Sequence, residues 1–308
     1  MMLAGGLGNQ MFQLAAALSR EADGCRLDVS LSNPRINTLG NVDVSDFELG
    51  QNVTLFGSKG SSRIISRVAN YMLISGMQPN RLEKFTVYRN LSRFLSSIFL
   101  QVRTREMVSI LQGLDNGYFE INPPVRSEFL VGYFQSYRWF EQELTQNRLR
   151  SLKLKVANSL LDDFLREEKG KESVLMHVRL GDYKQEDHFG ILDGRYFERA
   201  LHQVHDAKGF ERIWLFSDEP DEAMAYVPTS FQSIVRVVPD FGGRAALTLE
   251  AMRHANSYII ANSSLSWWGA SLSYTESPLV IAPAPWFKSK PEPRDLIPQR
   301  WQRIKAWD

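Results

Sequence analysis

From residue 173 onward the chain alternates short apolar runs with amphipathic stretches, and this alternation narrows the fold more than anything else in the sequence. "SVLMHV" (173–178), "RIWLFS" (212–217), "SIVRVV" (233–238), "SYIIA" (257–261) and "PLVIAP" (278–283) read as strands. Between them, "DGRYFERALHQVHDA" (193–207), "DEAMAYV" (221–227), "RAALTLEAMRHA" (244–255) and "SLSWWGASLSY" (264–274) read as helices, the first with Tyr196, Ala200, Leu201 and Val204 on one face. Strands separated by helices imply parallel βαβ units and a doubly wound α/β sheet. The strands show little polar alternation, as expected where helices cover both faces. "PLVIAP" is expected to be the last strand.

In such a sheet ligands bind beyond the carboxyl ends of the strands. The polar clusters fall there. His177, Arg179 and Asp182 in "HVRLGDY" follow the first strand. Ser217 and Asp218 follow the second. Asn262, Ser263 and Ser264 follow "SYIIA" and open a helix that also carries Ser266. A lone Asp after a strand is most often a helix cap, and Ser263 or Ser264 is equally suited to capping. Three such clusters on one rim point instead to a site, and the free amides of a helix start suit an anion. Trp267 and Trp268 are adjacent, so one is expected in the core and the other at an interface or cleft.

The first half is less regular. "GGLGNQMFQLAAALSREA" is a glycine-rich loop running into a helix. Met11 stands where the dinucleotide fingerprint needs its third glycine, which disfavours a nicotinamide oxidoreductase, and no P-loop lysine is present. Gly5, Gly6 and Gly8 would let a ligand approach the backbone, with Asn9 and Gln10 offering neutral amides at the tip. Residues 61–112 have helical spacing and no clear strands. Residues 130–142 read as strand, loop and helix start, and a long polar helix is expected over about 141–168. The domain boundary is placed near residue 150.

Other classes are disfavoured. The 308 residues carry a net charge of +1, so no strongly basic field invites nucleic acid. Cys25 is the sole cysteine, which leaves no internal disulfide. The N-terminus lacks the basic and apolar regions of a secretory signal, and no apolar run reaches the ~20 residues that span a bilayer. The expectation is a cytoplasmic protein without a transmembrane segment, meeting the inner membrane face only peripherally. "DEPDE" (218–222) has no His or Cys beside it, and the five histidines lack zinc spacing, so no metal is expected.

Four ordered stretches, "GGLGNQMFQLA", "GYFQSYRWF", "HVRLGDY" and "IIANSSLSWWGASL", resemble the motifs of the α-1,2-fucosyltransferases, glycosyltransferase family 11, and span nearly the whole chain. The resemblance implies a GT-B-like α/β architecture, with two Rossmann-like domains and the active site in the cleft between them. It implies residues 1–150 as the acceptor side, and 151–308 as the Rossmann-like domain that binds GDP-L-fucose. It further implies inverting, metal-independent transfer of fucose to the 2-hydroxyl of a terminal β-galactoside, carried by an oligosaccharide or a lipid-linked glycan as in O-antigen or capsule assembly. By the same resemblance Arg179 holds the donor diphosphate. Catalytic candidates are Arg179, His177 and Asp182. Donor-binding candidates are Gly6, Gly8, Asn9, Gln10, Arg179, Ser217, Asp218, Thr248, Asn262, Ser263, Ser264 and Ser266. The general base stays open among Asp182, His177 and acidic residues of the first half, or none if the route is dissociative.

This sequence departs from the family pattern at Leu180, in place of a second Arg, at Phe134, in place of a Trp, and at Thr248, in place of an Asp suited to reading guanine. Only four residues precede "GGLGNQ", so the family's first strand is expected to be cut short. These departures motivate a second reading, a catalytically weak nucleotide-sugar-binding homologue.

Overall fold

The computed structural model describes residues 1, 3–20, 25–28, 42–56, 109–112, 117–119, 128–185 and 187–307. The chain divides into two compact units, Met1–Lys153 with Pro293–Leu296, and Leu154–Glu292 with Ile297–Asp308.

In the first unit, helix α1 (Leu7–Ser19) follows Gly5, whose φ of 78° favours a residue without a Cβ. The helix is buried on nearly every side, as its Met11, Phe12 and Ala-rich sequence dictates. Two parallel strand pairs accompany it: β1 (Cys25–Asp28) with β2 (Val53–Phe56), and β3 (Ser109–Gln112) with β4 (Glu128–Val131). The strand at 109–112 corrects the helical expectation for the end of 61–112: pairing with β4 overrides the local spacing. Residues 61–108 lie outside the described residues.

A 3₁₀ turn (Tyr137–Phe140) leads into α2 (Glu143–Arg150). The expected long polar helix is in fact two. It stops after Arg150 and resumes as α3 (Ser159–Glu168), because Asn158 caps the new start by accepting from the Leu161 N–H at 3.0 Å. The intervening segment is held by the backbone, with the Glu48 N–H donating to the Lys153 carbonyl at 2.8 Å. Phe134, the departure from Trp, has a φ of 53° and packs edge-on against Trp139 at 5.7 Å. Ser136 Oγ and the Tyr137 N–H both donate to the Asp295 carbonyl, which ties the returning 293–296 segment to this unit.

The second unit opens with α3 and is built on one six-stranded, all-parallel sheet. Its strands are β5 (Ser173–Val178), β6 (Arg212–Ser217), β7 (Val235–Val237), β8 (Ser257–Ile259), β9 (Leu279–Ala284) and β10 (Gln302–Lys305), in the order β10-β9-β8-β5-β6-β7. Helices α4 (Gly194–Lys208), α5 (Pro220–Ala223), α6 (Ala245–Arg253) and α7 (Ser264–Ser271) connect them. The expected last strand is followed by β10, whose polar "QRIK" carries no apolar signal and pairs only as an edge.

One face of the sheet presents Val174, Met176, Val178, Ile213 and Leu215 to Tyr196, Ala200, Leu201 and Val204 of α4. The opposite face carries Trp214, edge-on to Phe164 of α3 at 5.0 Å. Helix α7 is buried all round. Trp267 and Trp268 are both fully buried, edge-on to each other at 4.8 Å, with Trp267 also against Trp301 at 5.4 Å. The expectation that one would reach an interface or cleft is thus corrected. The helix is enclosed by α6 on one side and by the C-terminal segment on another. A Cβ on Gly269 would lie 2.8 Å from the Met252 Cβ, so the glycine permits this close packing.

Candidate active site

Strands β8, β5 and β6 are neighbours and parallel, so the loops after Ile259, Val178 and Ser217 emerge side by side on one rim. Arg179 leaves β5 there, with a side chain 33% exposed. Its Nη1 meets Asp218 Oδ2 at 3.1 Å and its Nη2 meets Asp182 Oδ1 at 2.7 Å. Asp218 is not a helix cap: Glu219 holds the N-cap position of α5, which has no side-chain capping bond. Asp218 Oδ1 accepts from the Leu180 N–H at 3.0 Å, so the carboxylate fastens the β6 loop to the β5 loop and aims the guanidinium. A Cβ on Gly181 would come 2.3 Å from Asp218 Oδ2, so only glycine admits this contact. Leu180 is fully buried in the apolar cluster, and its backbone alone serves the rim.

Tyr183 binds the third loop. Its hydroxyl donates to the Asn262 carbonyl at 2.9 Å, its ring stacks on Phe189 at 4.9 Å, and the Arg179 guanidinium lies 5.7 Å from the ring centre. Asn262 Nδ2 donates to the carbonyls of Phe189 and Gly190. Asn262 is 2% exposed and braces the loop from inside.

Ser263 occupies the N-cap position of α7 without a side-chain capping bond. The helix start is therefore not closed by a serine, contrary to the capping alternative, and Ser264 is partly exposed beside it. Ser266 is fully buried and donates to the Ser263 carbonyl, so it does not face the rim.

His177 is 4% exposed, and its Nδ1 has no hydrogen-bond partner. Burial and then the Arg179 charge lower its pKa to about 3, against an opposing pull from Asp218. The ring is therefore neutral at neutral pH and too weak a base for proton abstraction. Thr248 on α6 is half-buried, with its hydroxyl 3.4 Å from the Arg244 carbonyl. Glu250 on the same helix is committed elsewhere, pairing with the buried Arg253 at 2.8 Å and accepting from the Tyr274 hydroxyl.

The glycine-rich loop departs from expectation. Gln10 is fully buried: its Nε2 donates to the Gly5 carbonyl at 2.8 Å and its Oε1 accepts from the Val44 N–H at 3.0 Å. It is an internal brace rather than a ligand-facing tip, because both ends of the amide meet backbone groups that burial would otherwise leave unpaired. Gln13 does the same between the Ala4 N–H and the Gly132 carbonyl. Gly8 lies buried inside α1. Gly6 is exposed with open space beside it, and Asn9 is half-buried and accepts from Gln135 Nε2 at 2.9 Å.

The rim thus brings together Arg179, Asp182, Asp218, Ser217 and the Asn262–Ser264 loop, while Gly6 and Asn9 belong to the first unit. Gly181 and Tyr183 were missed as participants, although both stand inside the same seven-residue stretch. Two of the four "DEPDE" carboxylates are drawn into ion pairs, Asp218 with Arg179 and Glu222 with Lys184. Among the described residues no group of three or more His, Cys, Asp or Glu is arranged to hold a metal ion. No helix among them is long and apolar enough to cross a membrane.

The architecture defines the class. The crystal structure of the fucosyltransferase NodZ from Bradyrhizobium shares it with a TM-score of 0.50 at 14% identity, covering 88% of this chain and 90% of that one. The fold is the α/β GT-B fold of glycosyltransferases. The model of glycosyl transferase family 11 matches residues 2–304, and the chain belongs to that family. Two Escherichia coli relatives align over nearly their full lengths. An alpha-1,2-colitosyltransferase is 25% identical over 312 residues, 98% of this chain and 97% of the relative. The O-antigen biosynthesis glycosyltransferase WbnK is 28% identical over 314 residues, 92% of this chain and 93% of the relative.

Proposed function

We propose that the chain is an inverting transferase that moves L-fucose from GDP-L-fucose to the 2-hydroxyl of a terminal β-galactoside in a surface glycan. The observation that carries this reading is Arg179 held by Asp218 on the sheet rim, beside the uncapped start of α7. As the bond from the anomeric carbon to the diphosphate breaks, negative charge grows on the β-phosphate. A permanently charged guanidinium fork and helix-start amides suit that charge and need no metal. The 1,2 linkage is supported by the alpha-1,2-colitosyltransferase relative, and the glycan context by the O-antigen biosynthesis relative WbnK.

The second unit is the donor side in this reading and the first unit the acceptor side. In the same reading Thr248, in the position where the family carries an Asp, is the group offered to the guanine. Of the two groups weighed as base, His177 is enclosed in the sheet, whereas Asp182 stands exposed where an incoming hydroxyl can reach it. A GDP-linked colitose, which lacks the 3-hydroxyl of fucose, is the second reading of the donor, favoured by that same relative.

The test is turnover of GDP-L-fucose and GDP-L-colitose with terminal β-galactosides, in excess EDTA and with added Mg²⁺ or Mn²⁺, with the product linkage read by NMR. The expected result is an α-1,2-linked product at a rate indifferent to EDTA. Loss of activity in EDTA, restored by metal, overturns the metal-independent clamp. GDP binding without turnover of either donor would favour the catalytically weak homologue.

A further inference from the structure

The two carboxylates on Arg179 are not equivalent. Asp218 is 23% exposed and uses both oxygens, one on the Leu180 N–H and one on the guanidinium, with Gly181 against it. Asp182 is 64% exposed and touches Arg179 through one oxygen at 2.7 Å. Its backbone opens the 3₁₀ turn Asp182–Gln185, which is anchored independently by the Lys184 N–H on the Leu180 and Gly181 carbonyls. The Asp182 side chain can therefore turn away without disturbing the loop, whereas Asp218 cannot.

The charges give this difference a consequence. One guanidinium faces two carboxylates, so the cluster is net negative. The nearby Lys184 is engaged by Glu222. A polyanionic diphosphate brought to this cluster meets repulsion for as long as Asp182 stays on the guanidinium. An exposed ion pair is among the weakest charged contacts, while a guanidinium fork on phosphate is among the strongest, so exchanging one for the other is downhill.

We propose that Asp182 is an internal stand-in for the diphosphate, holding the Nη2 edge of Arg179 until the donor displaces it, while Asp218 keeps the Nη1 edge throughout. This rests on the reading of Arg179 as the diphosphate clamp given above. It makes Asp182 a positioning residue that tempers donor and product affinity, and it leaves the displaced carboxylate beside the site at the moment the donor is bound.

The test is calorimetry of the full chain, Asp182→Asn, Asp182→Ala and Asp218→Asn with GDP, inorganic pyrophosphate and guanosine. Loss of the competing carboxylate should tighten GDP and pyrophosphate about three- to tenfold in both Asp182 variants, with guanosine unchanged. Asp218→Asn should weaken both anions, since the guanidinium loses its fixed support. Asp182 variants that bind the anions no better than wild type, or worse, overturn the exchange and leave Asp182 as a support or a bystander. If pyrophosphate behaves as expected but wild type binds GDP no better than ADP or UDP, the guanine-nucleotide reading fails while the exchange stands.

Discussion

The glycine-rich loop that opens α1 and the Arg179 loop after β5 resemble each other as sequences: each joins glycine to a cluster of polar side chains. They are built oppositely. In the first, Gln10 and Gln13 are fully buried and bond backbone groups at both ends of their amides. In the second, Arg179 and Asp182 remain in reach of solvent, while Asp218 and the Tyr183 hydroxyl act as internal supports. A neutral amide is a donor and acceptor of the right size to satisfy a turn from within. A charge stays at the surface unless it is paired. Polar residues crowded near a glycine therefore mark a functional loop only when some of them are left over after the backbone is satisfied.

The sharpest way to break this contrast is Arg179→Ala. Turnover should fall at least ~10²-fold, by analogy with removal of one oxyanion donor, while the melting temperature stays close to wild type. A variant that keeps more than about a tenth of wild-type kcat, far short of that loss, would place the diphosphate elsewhere.

Gln10→Ala should do the reverse. It leaves the Val44 N–H and the Gly5 carbonyl unpaired and should cost about 2 kcal/mol of stability in urea melts. If stability held and donor KM rose instead, Gln10 would belong to the ligand after all.

The third effect is graded with pH and concerns His177. Its folded pKa of about 3 lies below the ordinary histidine value of 6.5, so below pH 6.5 the unfolded chain binds a proton that the folded one refuses. Stability should therefore fall as pH drops from 6.5 towards 3, by up to about 1.4 kcal/mol per pH unit from this residue. His177→Leu should flatten that slope in urea melts at pH 7, 6 and 5. An unchanged slope would mean that His177 titrates normally and is open to the rim.

Much of the second unit was legible in the sequence. "SVLMHV" and "RIWLFS" coincide with β5 and β6 because a strand covered on both faces must be continuously apolar, and such runs stand out locally. The convergence of the Arg179, Asp218 and Asn262 loops followed from parallel strands and the rule that ligands sit beyond their ends. Edge strand β10 was hidden because an edge needs no apolar face, and β3 because its strand character depends on its partner. The 141–168 helix was overextended because one cap, Asn158, outweighs a weak polar periodicity.

At the site itself, local pattern carried residue type and chain position: a cation after a buried strand, and acids and serines at neighbouring loop ends. Tertiary structure alone assigned the partners. It made Asp218 a brace instead of a cap, turned Asn262, Ser266 and Gln10 inward, enclosed both Trp267 and Trp268, and required glycine at 181 to admit a carboxylate from 37 positions along the chain. The reason is one of range. Strand and helix periodicity arise from contacts a few residues apart, whereas the role of a polar side chain depends on which distant backbone groups burial leaves unpaired.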